Sequence, residues 1–92
     1  MPIFDLEHPW AVSPQVALRP EPFGALAYHF GTRRLSFLKT RKLLAVVERL
    51  AAEPSGSAAC RAAGVSDDEL PAYERALASL AAAGMIARRG GV

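Results

Sequence analysis

LRPEPFGALAYHFGTRRLSFLK, residues 18–39, is the stretch that decides the fold. On either side of Gly31-Thr32 apolar residues alternate with small or polar ones, the period-2 pattern of two half-buried strands joined by a tight turn. With Gly31 and Thr32 as loop residues, Phe30 faces Arg33, Tyr28 faces Leu35 and Leu26 faces Phe37 on one side of the ribbon. His29 with Arg34, Ala27 with Ser36 and Ala25 with Leu38 form the other side. The bulky, aromatic side is expected to cover the core, and the thinner, more polar side to meet solvent. A one-residue slip would exchange the two, so the register is well specified.

Working outward, Val16 to Arg19 forms a further strand joined through Pro20-Glu21-Pro22, giving a three-stranded antiparallel meander over residues 16–19, 24–30 and 34–39. Its third strand lies at an edge. Residues 1–15, interrupted by Pro2, Pro9 and Pro14 and anchored by Ile3, Phe4, Leu6 and Trp10, read as an N-terminal arm, with Trp10 folding back over the core. Downstream, Thr40 caps a helix over 41–52 whose Leu43, Leu44, Val47 and Leu50 recur at helical spacing. Ser57 caps a short helix over 58–63 that ends at Gly64. Ser66 and Glu69 have capping-box spacing, but that start puts Pro71 at the fifth helical position; a start near Asp67 or Asp68 puts it in the tolerated first turn. This predicts a third helix over 68–83 with Leu70, Tyr73, Leu77 and Leu80 on one face, stopping at Gly84. Residues 88–92 form a basic tail, and 16–87 one domain. The class is α+β, a winged-helix-like arrangement of three strands followed by three helices.

The chain has 92 residues, 11 Lys and Arg against 9 Asp and Glu, and a net charge of +2, a balance that demands no nucleic-acid partner. Arg33, Arg34, Lys39, Arg41 and Lys42 crowd around the third strand, while Asp67, Asp68 and Glu69 cluster separately. In the first turn of their helix, Arg41 and Lys42 oppose the macrodipole, by about 0.3–1 kcal/mol each, with no structural gain visible in the sequence. The lone Cys60 excludes an internal disulfide and reads as a small buried hydrophobe. No run reaches the roughly 18 apolar residues of a membrane span, and no signal peptide opens the chain, so a cytoplasmic protein is expected.

Catalysis has no support: no Gly-rich phosphate loop, no metal-ligand spacing, and two isolated histidines, His8 and His29, the latter read as a surface contact beside Arg34. Residues 60–66 have the outline of a helix-turn-helix corner, which makes a winged-helix DNA-binding protein the competing class; against it, Asp67, Asp68 and Glu69 occupy the turn a recognition helix presents to phosphates. A dimer formed through the open edge or the arm is a further alternative.

The run RPEPFGALAYHF of residues 19–30, followed by RRLSFL of residues 33–38, resembles the mycofactocin biosynthesis chaperone family over nearly the whole chain, and more distantly the pyrroloquinoline quinone precursor chaperones and other recognition elements for ribosomally made, modified peptides. The resemblance implies a non-catalytic adaptor that binds the leader of a precursor peptide and presents it to a radical S-adenosylmethionine maturase. It needs no cofactor of its own, since the iron–sulfur clusters and S-adenosylmethionine belong to that partner. In such proteins the leader adds as a strand to the sheet edge, in a groove beside the last helix. Here that implies the edge Arg34, Leu35, Ser36, Phe37, Leu38 and Lys39 and the wall Leu70, Tyr73, Glu74 and Leu77. Strand addition satisfies the open edge, and Leu35, Phe37, Leu38, Tyr73 and Leu77 offer an apolar trough toward which Arg33, Arg34, Lys39 and Arg41 steer an acidic peptide.

Overall fold

In the computed structural model, which describes residues 4–89, the hairpin of residues 24–38 forms. The elements in order are β1 (Trp10–Val12), β2 (Val16–Glu21), β3 (Gly24–His29), β4 (Leu35–Leu38), α1 (Arg41–Arg49), α2 (Gly56–Ala62), α3 (Leu70–Ala82) and β5 (Ile86–Arg88). Strands β2, β3 and β4 make an antiparallel sheet in that order, and β1 pairs with β5 in a separate ribbon. The α+β class and the three-strand, three-helix order stand as the sequence predicts; the ribbon was not expected. Its strands are three residues long and lie at opposite ends of the described chain, Trp10 against Arg88 and Val12 against Ile86, so neither carries a local pairing signal. Ile3 of the expected arm and the tail beyond residue 89 lie outside the described residues.

The pairing of β3 with β4 follows the expected register, with Tyr28 opposite Leu35, Leu26 opposite Phe37, Ala27 opposite Ser36 and Ala25 opposite Leu38. The faces are reversed. Ala25, Ala27, His29 and Leu38 are buried, whereas Tyr28, Phe30, Leu35 and Phe37 are exposed. The reason is size. Ala25 and Ala27 let α1 lie directly across β3, so Val46, Val47 and Leu50 reach the sheet, a closeness that Tyr28 and Phe37 would prevent. The core so formed draws in Leu6 and Trp10 from the N-terminal segment, Ala59 and Cys60 from α2, Leu77 and Leu80 from α3, and Met85 and Ile86. Trp10 stacks on Phe4 with 4.7 Å between ring centroids, and its indole N–H donates to the Asp5 carbonyl.

The hairpin loop is longer than two residues. The His29 carbonyl accepts from Arg33 N–H and the His29 N–H donates to the Arg34 carbonyl, and the left-handed position is Arg33, at φ 61°, rather than Gly31. The buried His29, expected at the surface, organises this loop: its Nδ1 accepts from the backbone N–H groups of Gly31 and Thr32. Gly24 has a different necessity. A Cβ there would stand 2.1 Å from the Leu38 carbonyl oxygen and 2.8 Å from that of Thr40, both backbone atoms. Gly24→Ala is therefore expected to lose about 1–3 kcal/mol of stability, read as a lower urea midpoint at unchanged slope.

Helix α1 starts on its expected cap, with Leu43 N–H bonded to Thr40 Oγ1 at 3.0 Å. For α2 the cap is Ser55, whose hydroxyl accepts from Ala58 N–H, and Ser57 is buried inside the helix. At α3 both expectations meet. The Ser66–Glu69 box forms, Ser66 N–H to Glu69 Oε1 at 3.1 Å and Glu69 N–H to Ser66 Oγ at 3.3 Å, around a turn that precedes the helix, so Pro71 still falls in the first turn. Both α2 and α3 end on a left-handed glycine, Gly64 and Gly84, and the following residue's N–H reaches back to Cys60 or Leu80. The second of these stops turns the chain into β5. No helix among the described residues is long and apolar enough to cross a membrane.

Candidate peptide-binding groove

Hydrogen-bond direction fixes what the β4 edge offers. Phe30 N–H points to Gln15 of the β2 side and His29 N–H to Arg34 of the β4 side. Because directions alternate along an antiparallel strand, Ala25 and Ala27 bond toward β4, taking Leu38 and Ser36 as partners. The backbone groups of Leu35 and Phe37 are consequently the ones aimed away from the sheet. Among the described residues no strand pairs with them.

Beside this edge runs a groove of about 500 Å³ between β4 and α3, lined by Leu35, Ser36, Phe37 and Lys39 on one side and Ala72, Tyr73, Ala76 and Ser79 on the other, with Leu43 and Leu80 between. Three of the four helix positions are small, so side chains from α3 leave the space beside β4 unfilled. Tyr73 Oη and Thr40 Oγ1 approach to 3.4 Å and link the start of α3 to the cap of α1. The lining is apolar apart from hydroxyls and one cation, Lys39.

The structure thus brings Leu35, Ser36, Phe37, Lys39 and Tyr73 together. Leu38 and Leu77 are fully buried in the core beneath, Leu70 is half-buried, and Glu74 is exposed without lining the groove. The stripe Leu70, Tyr73, Leu77, Leu80 is largely the core face of α3. The groove face, Ala72, Tyr73, Ala76, Ser79, is turned slightly from it, and its signal in the sequence is the recurrence of small residues at helical spacing. Sequence reasoning missed that signal, along with Thr40 and Leu43.

The cations divide into two groups. Lys42 Nζ binds Glu69 Oε1 at 3.0 Å, joining α1 to the turn before α3, and Arg41 Nε donates to the Pro22 carbonyl at 3.1 Å. Both therefore have structural partners, contrary to the expectation of none. The Glu69 carboxyl is held below its ordinary range, first by the Ser66 N–H and next by the Lys42 ammonium. Arg33, Arg34 and Lys39 form no ion pair among the described residues, and all three are exposed near β4. Cys60 has no part in any of this. Burial, and after it the charge of Glu74, pushes its thiol up to about 11, which leaves almost no thiolate at neutral pH.

Among the described residues the chain is a small α+β module with an unpaired sheet edge beside an apolar groove, and comparison with known proteins gives its class. The model of the peptide chaperone MftB family matches residues 9–87. Among curated proteins, the peptide chaperone MftB of Mycobacterium tuberculosis is 56% identical over 86 residues, covering 94% of this chain and 79% of its own length. That of Mycobacterium ulcerans is 58% identical over 83 residues, with 90% and 76% covered. The Mycolicibacterium smegmatis protein is 52% identical over 83 residues, with 90% and 81% covered. No solved structure matches the chain. The chain belongs to the peptide chaperone MftB family, the family of mycofactocin biosynthesis that the hairpin residues resemble, and its members are chaperones and not enzymes.

Proposed function

We propose that this protein binds the leader of the mycofactocin precursor peptide as a fourth strand on β4 and delivers it to a radical S-adenosylmethionine maturase. The single observation that carries this is the outward backbone of Leu35 and Phe37 running beside the groove in a chain of a peptide chaperone family. A leader strand forms up to four backbone hydrogen bonds there, each with a net worth of about 0.5–1.5 kcal/mol, and this contribution ignores side-chain identity. Specificity comes from the groove, where alternate leader side chains meet Tyr73, Ala76 and Leu80 above the buried Leu38 and Leu77. Arg33, Arg34 and Lys39, with Arg41 behind them, attract acidic leader residues, speeding the encounter and fixing register, while the groove gives most of the affinity.

The electrostatic half is tested with Arg34→Glu/Lys39→Glu. Calorimetry with synthetic leader at low salt should show binding weakened roughly tenfold, with the difference shrinking as salt is raised. Equal affinity of variant and wild type at low salt would remove the steering role. No leader binding by the wild-type protein would remove the whole reading.

A further inference from the structure

The reversed faces of the sheet leave an unexplained surface. On the side away from α1 lie Phe23, Tyr28, Phe30, Leu35 and Phe37, 46%, 37%, 59%, 51% and 58% exposed, with the half-buried Leu26 among them. From these exposures the apolar area is on the order of 500 Å², at the upper end of the largest patch an ordinary monomer shows. Only part of it belongs to the groove: Leu35 and Phe37 line both surfaces, while Phe23, Tyr28 and Phe30 line the sheet face alone.

We infer that this sheet face is a docking surface for a protein whose contact region is apolar at its centre and rich in carboxylates at its rim. The charge distribution selects that occupant. Residues 16–41 hold Arg19, Arg33, Arg34, Lys39 and Arg41 but a single carboxylate, Glu21, already paired with Arg19 at 2.8 Å; the other eight carboxylates lie elsewhere in the chain. A second copy docked face to face would bring like charges together with nothing on this face to answer them. Single-stranded nucleic acid fits less well, because stacking needs open rings. Here Phe23 packs on Phe37 with centroids 6.4 Å apart and Tyr28 meets Phe30 edge-on at 5.4 Å, so each ring already has an aromatic neighbour.

Because Leu35 and Phe37 are shared, the occupant abuts whatever lies in the groove. Resting on the proposed function, the occupant is the enzyme that receives the peptide, seated on the sheet while the leader stays on the edge.

The test is the double variant Tyr28→Ala/Phe30→Ala, which leaves every groove-lining residue in place. With synthetic leader its affinity should stay within twofold of wild type. With purified radical S-adenosylmethionine maturase its affinity should fall at least tenfold, and wild-type affinity for the enzyme should weaken as salt rises. The inference is overturned by unchanged or absent enzyme binding, by a wild-type homodimer in sedimentation that the double variant abolishes, or by salt-sensitive oligonucleotide binding that the double variant loses. If the double variant does not fold, Phe30→Ala alone decides, with a threefold or greater loss of enzyme affinity expected and none at the leader. Failure of wild-type leader binding instead counts against the proposed function, whichever way the enzyme measurement falls.

Discussion

Phe37→Pro is expected to bind leader at least fivefold more weakly than Phe37→Ala, with both proteins folded. The alanine variant removes only the ring. Proline also removes the outward N–H and leaves a leader carbonyl unanswered, worth about 1–3 kcal/mol, or roughly five- to a hundred-and-fiftyfold in affinity. An edge position tolerates proline, because its N–H serves no bond within the sheet. Ser36→Pro, one residue earlier, removes the N–H directed at Ala27 and should appear as lost stability. Calorimetry with leader and urea unfolding of each variant separate the two effects. Equal affinity for Phe37→Pro and Phe37→Ala would rule out strand addition at β4.

Ala76→Phe is expected to abolish measurable leader binding, a loss of at least a hundredfold, at a stability cost of no more than about 1–3 kcal/mol. Ala76 lies on the groove face of α3, so a phenyl ring there enters the space of about 500 Å³ that the leader's side chains need and not the packed core. Leu77→Ala inverts the pattern: a fully buried leucine is truncated, costing about 2–5 kcal/mol of stability, with little change in affinity for the protein that remains folded. Unimpaired leader binding by Ala76→Phe would place the peptide elsewhere on the molecule.

Much of this was legible in residues 18–39 because strand pairing is local there. Alternation fixed which residues face each other across the hairpin, and Thr40, Gly64 and Gly84 marked helix ends by local chemistry. Alternation did not say which face goes inside. Both faces of the hairpin carry apolar side chains, and the choice rests on how near α1 can come, a property of Ala25 and Ala27 taken together with Val46 and Val47. The same limit hid His29, whose two loop hydrogen bonds depend on its being turned inward, and the partner of Lys42, which lies 27 residues away. The groove was half legible: its β4 side follows from an edge strand, but its α3 side is defined by side chains that are small, and patterning arguments look for large ones. The β1–β5 ribbon joins residues nearly eighty positions apart and left no trace that a local reading detects.

The chain's single tryptophan gives that ribbon an experimental use. Trp10 lies against Phe4 and, with Ala78, Ala81 and Ala82, lines a cleft on the flank of α3 away from the groove. Its ultraviolet emission therefore reports whether the two ends of the fold are joined and is blind to direct contact with a peptide on β4. Light from one indole thus monitors integrity while a label on the peptide monitors occupancy, two optical channels that do not overlap.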